Sequence, residues 1–85
     1  MRIINLHDVH HAGTYVRVDR GSNWGNPFIM YQESQRVSVI RDFASYAAWR
    51  LTIEPAWLGP LRGKTLACWC TPKPCHADIL IEMAN

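Results

Sequence analysis

Three stretches of the chain carry the hydrophobic pattern of β-strands. The run Arg2–Leu6 is rich in β-branched residues and predicts a first strand, which the polar Asn5 interrupts, as at a sheet edge or a polar strand end. From Thr14 to Asp19 apolar and polar residues alternate with a period of two, so the two valines share a face that we expect to pack on the core. A third apolar run, Thr65–Trp69, predicts another strand.

Three further stretches carry helical signals. Between Gln35 and Leu51 apolar residues recur at intervals of three and four, which predicts an amphipathic helix with Ser34 as its N-cap. Glu54–Leu58 predicts a short helical turn, and Ala77–Ala84 a C-terminal helix starting near Cys75. Gly59 and Pro60 are expected to end the short turn. We expect the whole apolar face of the long helix to lie in the core. This face includes the aliphatic Val37 and the aromatic residues Phe43, Tyr46 and Trp49.

The order of these elements is strand, strand, helix, short helix, strand, helix (ββααβα). It predicts a small α/β fold with a short sheet of about three strands, mixed or parallel, one long helix, a short helical turn and a C-terminal helix. Because 85 residues leave no room for two cores, we expect residues 1–85 to form a single domain. The long helix supplies the crossover that a parallel strand pair requires.

Composition narrows the functional classes. The chain is 48% hydrophobic, which is not the composition of a disordered protein. Its net charge of +2 is too slight to argue for a dedicated nucleic-acid binder. Asp8 falls where a signal peptide would be apolar, and no apolar run is long enough to cross a bilayer. An odd count of three cysteines without a secretion signal predicts reduced thiols in a cytoplasmic protein with no membrane partner.

The segment Arg20–Phe28 has the composition of a shaped loop, with two glycines, two asparagines, a serine and a proline. Glycines let the backbone approach a ligand closely, and exposed backbone amides form concave anion sites. The alternative is a rigid turn whose aromatic residues fill the core. The loop residues that we predict to cradle a phosphate are Arg20, Gly21, Ser22, Gly25 and Asn26, with Trp24 stacking on a base or ring.

The segment from Lys64 to Asp78 concentrates thiol chemistry, and three interpretations of it stay open. A zinc site would use Cys68, Cys70, Cys75 and His76. Their spacing is poor for zinc, because neighbouring helical residues point about 100° apart.

In the second interpretation Cys75, at a helix N-terminus beside Lys73 and His76, is a reactive thiol with His76 as proton carrier, or these groups bind a phosphate. In the third, Cys68 and Cys70 are buried apolar groups, and His76 bonds to a backbone carbonyl. Three other histidines, His7, His10 and His11, have no standard ligand spacing and are expected to be solvated in a mobile loop.

Two motifs carry a family resemblance. Arg20-Gly-Ser-Asn-Trp-Gly-Asn-Pro-Phe28 and Leu61-Arg-Gly-Lys-Thr-Leu-Ala-Cys-Trp-Cys-Thr-Pro-Lys-Pro-Cys-His-Ala-Asp78, in this order, resemble the domain of unknown function family 4326. That family consists of small proteins common in bacteriophages and actinobacteria. The resemblance implies that these two segments are the family's signature pair, while the stretch His10-His11 departs from its pattern. Two loops that each follow a strand imply convergence on one site beyond the carboxyl ends of parallel strands.

Two functional hypotheses follow. The first is binding of a phosphorylated small molecule, in particular a nucleotide, between the Gly/Trp loop and the Cys-His helix start, with Cys75 as nucleophile if the protein is an enzyme. No cofactor is predicted, and the compartment is the host cytoplasm if a phage encodes the chain. The alternative is a non-catalytic zinc-stabilised module that binds a host protein or nucleic acid. Neither the ligand nor the oligomeric state follows from the sequence.

Overall fold

The last strand in the sequence forms the centre of a three-stranded parallel sheet. The structure, a computed structural model, describes residues 2–11, 13–71 and 73–84, without the side chains of residues 9–11. The strands are β1 (Arg2–Asn5), β2 (Val16–Arg17) and β3 (Thr65–Cys68), in the order β1-β3-β2. Both outer strands run parallel to β3, so the carboxyl ends of all three meet at one edge of the sheet.

The register places apolar residues side by side across the middle of the sheet. Ile3 and Val16 both pair with Leu66, which is fully buried. The backbone of Val18, also fully buried, donates to the carbonyl of Ala67 at 2.9 Å and extends the pairing past β2. The predicted valine face is therefore confirmed. The regular strand is nevertheless shorter than the predicted Thr14–Asp19, because the chain turns at Asp19, whose carbonyl accepts the backbone N–H of Ser22.

The two predicted helices are present as α1 (Arg36–Ile53) and α2 (His76–Ala84), and they pack against each other. The prediction of Ser34 as N-cap is wrong. A single 3₁₀ turn, Glu33–Gln35, precedes α1 and contains that serine. The side chain of Gln35 accepts the backbone N–H groups of Tyr31 and Gln32, and so ties the chain that precedes this turn to the start of α1.

The long helix buries a narrower face than its sequence suggests. Phe43 and Ala47 are fully buried, whereas Val37 is 77% exposed and Trp49 is 57% exposed. The expectation that the apolar stripe lies in the core is therefore wrong for these last two residues. The helical spacing identifies a wide apolar face, but only the middle of that face meets the core cluster.

Two connecting segments also differ from expectation. The expected mobile loop after β1 is a 3₁₀ helix, Leu6–His11, although the side chains of His10 and His11 lie outside the described residues. Glu54–Leu58 forms hydrogen-bonded turns, and the 3₁₀ helix follows at Gly59–Leu61. Gly59 and Pro60 were expected only to end the turn at Glu54–Leu58. In the structure they also begin the 3₁₀ helix that follows it, since proline fits the first positions of a helix.

The core cluster joins the sheet, both α-helices and the 3₁₀ helix Gly59–Leu61. Its largest fully buried side chains are Phe43, Leu61, Leu66, Leu80, Val18 and Cys68. The predicted small α/β architecture is confirmed, and the sheet is entirely parallel. Within the described part of the chain, no helix has the length and apolar character needed to cross a membrane.

Candidate functional site

A cavity of about 380 Å³ lies beyond the carboxyl ends of β2 and β3. Asp19 and Arg20 follow β2, Cys68 ends β3, and α1 contributes Arg36. The two signature segments therefore do converge on one place, as parallel strands require. The described residues that line the cavity are Asp19, Arg20, Asn26, Met30, Arg36, Val39, Ile40, Cys68, Trp69, Cys70, Cys75 and His76.

The arginine of the Gly/Trp loop holds the loop closed. The guanidinium of Arg20 donates to the backbone carbonyls of Asn26 at 2.8 Å and Phe28 at 3.0 Å. Across the loop, Ser22 donates from Oγ to the carbonyl of Asp19 at 2.7 Å. These bonds shape the segment, and Arg20 also lines the cavity.

Close backbone contact explains one of the two loop glycines. A Cβ atom on Gly25 would lie 2.6 Å from the carbonyl oxygen of Asp19 and 2.7 Å from the Cα of Arg20. Gly21, by contrast, has open space around the same position. Gly25 is thus required for the loop to fold back on itself, and Gly21 is not.

Asn26 links this loop to α1 and faces the cavity. Its side chain is largely buried, accepts the backbone N–H of Phe28 at 2.9 Å, and donates to the carbonyl of Val39 at 3.4 Å. The predicted cradle residues thus divide into two groups. Arg20 and Asn26 line the cavity, while Gly21, Ser22 and Gly25 shape the loop from outside its lining.

The structure places Trp24 away from the cavity. Its indole donates to the carbonyl of Trp57 at 2.9 Å, and the ring lies in a separate depression with Asn23 and Pro55. Trp69 is the aromatic residue at the cavity; it is 54% exposed and contacts the ring of His7 edge-on at 5.3 Å. Its position directly after the last residue of β3 is the signal that could have identified it.

Asp19 is a cavity residue that sequence reasoning missed. A hydrogen bond from Arg17 lowers the pKa of this carboxyl, and the indole of Trp69 also bonds to it and lowers the pKa further. The carboxylate is therefore ionised at neutral pH and can accept a hydrogen bond from a ligand. The sequence hides this role, because the alternating pattern places Asp19 merely on the polar face of a strand.

Two of the three thiols touch. The Sγ atoms of Cys68 and Cys75 lie 3.2 Å apart, and both residues are buried. The contact with Cys75, together with backbone N–H groups of Cys70 and Thr71, lowers the pKa of the Cys68 thiol. The same contact, together with burial, raises the pKa of Cys75. Cys68 is therefore the thiol of the pair that ionises first.

Cys75 immediately precedes α2, where the sequence predicted the helix to start. Its backbone N–H bonds to the carboxylate of Asp78 at 3.0 Å, and the backbone N–H of Asp78 returns to the carbonyl of Cys75 at 3.1 Å. This reciprocal pair satisfies donors of the first turn and fixes the position of the thiol at the cavity wall.

His76 makes the hydrogen bond to a backbone carbonyl that the third interpretation of the thiol segment expects. Its Nε2 atom donates to the carbonyl of Val18 at 2.5 Å, and its ring contacts Phe43 edge-on. Burial lowers the pKa of the imidazole, so the ring is neutral at pH 7. The proton on Nε2 is thus engaged within the fold.

Arg36 lines the cavity, where the sequence led us to expect Lys73. Lys73 lies outside the cavity lining and pairs with the exposed carboxylate of Glu33 at 3.0 Å. Arg36 lines the cavity, donates to the carbonyl of Pro74 at 2.8 Å, and hydrogen-bonds the side chain of Cys70. Glu33 also binds Arg36, and together Arg36 and Lys73 lower the pKa of this carboxyl to about 2.

The geometry does not favour the zinc interpretation. Among the side chains that the structure describes, no three of His, Cys, Asp or Glu are grouped so that they could hold a metal ion. Cys68 and Cys75 are in contact, but the Nε2 atom of His76 points to a backbone carbonyl instead.

Comparison with known proteins gives a family and a phage relative. The family model "Domain of unknown function (DUF4326)" matches residues 4–85. An "Uncharacterized 12.4 kDa protein in nrdA-td intergenic region" of Enterobacteria phage T4 is 38% identical over 73 residues, covering 82% of this chain and 67% of the phage protein. No solved structure matches the chain.

Proposed function

This chain belongs to the phage-type family called domain of unknown function 4326, and we propose that it binds a small phosphorylated ligand, in particular a nucleotide, in the cavity at the carboxyl edge of its sheet. The observation that carries the proposal is the meeting of Arg20 and Arg36 in one cavity beyond the ends of parallel strands. In open α/β sheets, ligands bind at this edge.

The charges in the cavity favour an anionic group. Arg20 and Arg36 come from different segments, and each is fixed by hydrogen bonds to backbone carbonyls. A guanidinium held in this way is preorganised to donate to phosphate oxygens, which lowers the entropic cost of binding. Arg20 supplies the more direct contact, because Arg36 is also engaged by Glu33.

The rest of the lining suits an organic body attached to the phosphate. Met30, Val39 and Ile40 supply apolar surface, and Trp69 offers a half-exposed indole at the edge. The ionised carboxylate of Asp19 can accept a hydrogen bond from a sugar hydroxyl or a base amine. This combination fits a nucleotide better than inorganic phosphate.

The size of the cavity agrees with such a ligand. Its volume of about 380 Å³ falls within the range of roughly 300–1,000 Å³ that is typical of small-molecule sites. The sequence predicted that Trp24 would stack on the ligand. In this proposal Trp69 stacks instead, because of these two residues only Trp69 borders the cavity.

Calorimetric titration with nucleoside 5′-monophosphates, the matching nucleosides and inorganic phosphate tests the proposal. The nucleotides should bind more tightly than either fragment. Arg20→Ala should raise the dissociation constant by roughly tenfold or more, since a charge-assisted hydrogen bond contributes about 1.5–3 kcal/mol. Arg41→Ala is the matched control, because Arg41 is exposed on α1 and lies outside the cavity lining.

A second pair of variants separates ligand contact from loop shape. Trp69→Ala should weaken nucleotide binding, and Trp49→Ala, a similarly exposed tryptophan on α1, should not. Equal affinity for nucleotide and nucleoside, or unchanged affinity in both Arg20→Ala and Trp69→Ala, would overturn the proposal. Purified protein that contains one equivalent of zinc and unfolds on chelation would support the zinc-module alternative instead.

A further inference from the structure

Cys68 and Cys75 are seven positions apart in the sequence, and their thiols are in contact. Their Sγ atoms lie 3.2 Å apart, so forming a disulfide requires an approach of only about 1.2 Å. Both residues line the cavity, which gives a small molecule a route to the pair. Binding of a phosphorylated ligand does not require this contact.

The two thiols are not equivalent. The Sγ of Cys68 accepts hydrogen bonds from two backbone N–H groups, those of Cys70 and Thr71, whereas the Sγ of Cys75 accepts one, from Ala77. The thiolate is the reactive form in exchange with disulfides, and the thiol whose charge is stabilised by more donors is the one that attacks. Cys75 lies within reach of the sulfur that has reacted.

We propose that Cys68 and Cys75 form a redox-active dithiol at the wall of the cavity, in which Cys68 attacks small disulfides and Cys75 resolves the product. The inference goes beyond ligand binding, since it assigns a thiol–disulfide exchange activity to this pair.

The exchange balances without a further reactant. The Cys68 thiolate attacks one sulfur of a small disulfide RSSR, which forms a Cys68–S–S–R bond and releases RS⁻. Cys75 then loses its proton to the released RS⁻, and its sulfur attacks the Sγ of Cys68. The products are a Cys68–Cys75 disulfide, RSH and RS⁻. The two protein sulfurs are oxidised by two electrons in total, and RSSR is reduced.

Cys70 provides an internal control for this assignment. It lines the same cavity and is more exposed than the other two cysteines, but its side chain bonds to Arg36. Reactivity that followed exposure alone would appear first at Cys70. The proposal instead places the reaction at the buried pair, where the donors converge.

The experiment uses the reduced chain of residues 1–85 with glutathione disulfide as the probe, followed by alkylation of the remaining thiols and peptide mass mapping. Wild-type protein should give a Cys68–Cys75 disulfide with Cys70 alkylated. Cys75→Ser should accumulate a mixed disulfide of glutathione on Cys68. Cys68→Ser should react roughly tenfold more slowly or worse, and Cys70→Ser should still form the Cys68–Cys75 disulfide.

Formation of a disulfide that includes Cys70, trapping of glutathione on Cys70 in Cys75→Ser, or a wild-type chain that stays fully reduced would each overturn the inference. If a cysteine variant fails to fold, the map of the wild-type chain decides the question alone. Loss of nucleotide binding in the earlier titration would leave this result unaffected, so the two proposals fail separately.

Discussion

The imidazole of His76 donates a hydrogen bond of 2.5 Å from Nε2 to the backbone carbonyl of Val18. This bond joins the first turn of α2 to the chain that leaves β2. The ring is buried, and burial lowers its pKa, so the folded protein holds a neutral imidazole. The two segments that form the cavity are therefore connected through a titratable group.

A pH-dependent stability follows from this contact. As the pH falls below about 6.5, the unfolded chain takes up a proton on His76, while the folded chain resists it. The free energy of unfolding should therefore decrease with falling pH, by up to about 1.4 kcal/mol per unit from this group. Urea denaturation between pH 5 and 6 measures the slope. At higher pH the lowered pKa of Cys68 adds a slope of the same sign.

His76→Gln is the variant for this test, since an amide can still donate to the carbonyl of Val18 but does not titrate. It should show a smaller slope than the wild type over this pH range. The carboxylates contribute equally to both proteins, so they cancel in the comparison. Identical slopes would show that His76 takes up its proton equally well in the folded chain.

Gly25 tests the close packing of the Gly/Trp loop. Gly25→Ala should lower the free energy of unfolding by about 1–3 kcal/mol, because its Cβ would lie 2.6 Å from the backbone oxygen of Asp19. Gly21→Ala is the matched control in the same loop and should change stability by no more than about 0.5 kcal/mol. Urea unfolding of both variants checks this, and equal effects would contradict the close approach.

The sequence was sufficient for features decided by neighbouring residues. The alternation around Val16 and Val18 identified the face of β2, and the capping carboxylate of Asp78 agrees with a helix that starts after Cys75. The sequence left the sheet mixed or parallel, and the parallel pairing of β2 with β3 agrees with the long helix that separates them.

Features that depend on distant contacts could not be predicted. The central position of β3 is decided by pairing with strands more than forty residues earlier in the chain. Trp24 was expected to stack on a ligand, but the carbonyl of Trp57, 33 positions away, takes its indole N–H. The sequence gives no signal for Arg36, because only the packing of α1 beside Cys70 and Pro74 brings it to the cavity.

The thiol segment contains both kinds of feature, one that the sequence predicted and one that it did not. A straight strand through Cys70 would separate Cys68 from its partners, whereas β3 ends at Cys68 and the turn brings Cys75 back to it. The interpretation of Cys68 as a packed apolar group holds for its burial. It omits the polar contacts that lower the pKa of the thiol.

The most direct test of the central proposal is an NMR titration of amide chemical shifts with a nucleoside 5′-monophosphate at millimolar concentration. The account predicts shifts at Arg20, Asn26 and Cys70, which line the cavity. It predicts no shifts at Trp24 and Ala56, which line the separate depression. Absence of shifts at the cavity, or shifts centred on Trp24, would contradict it.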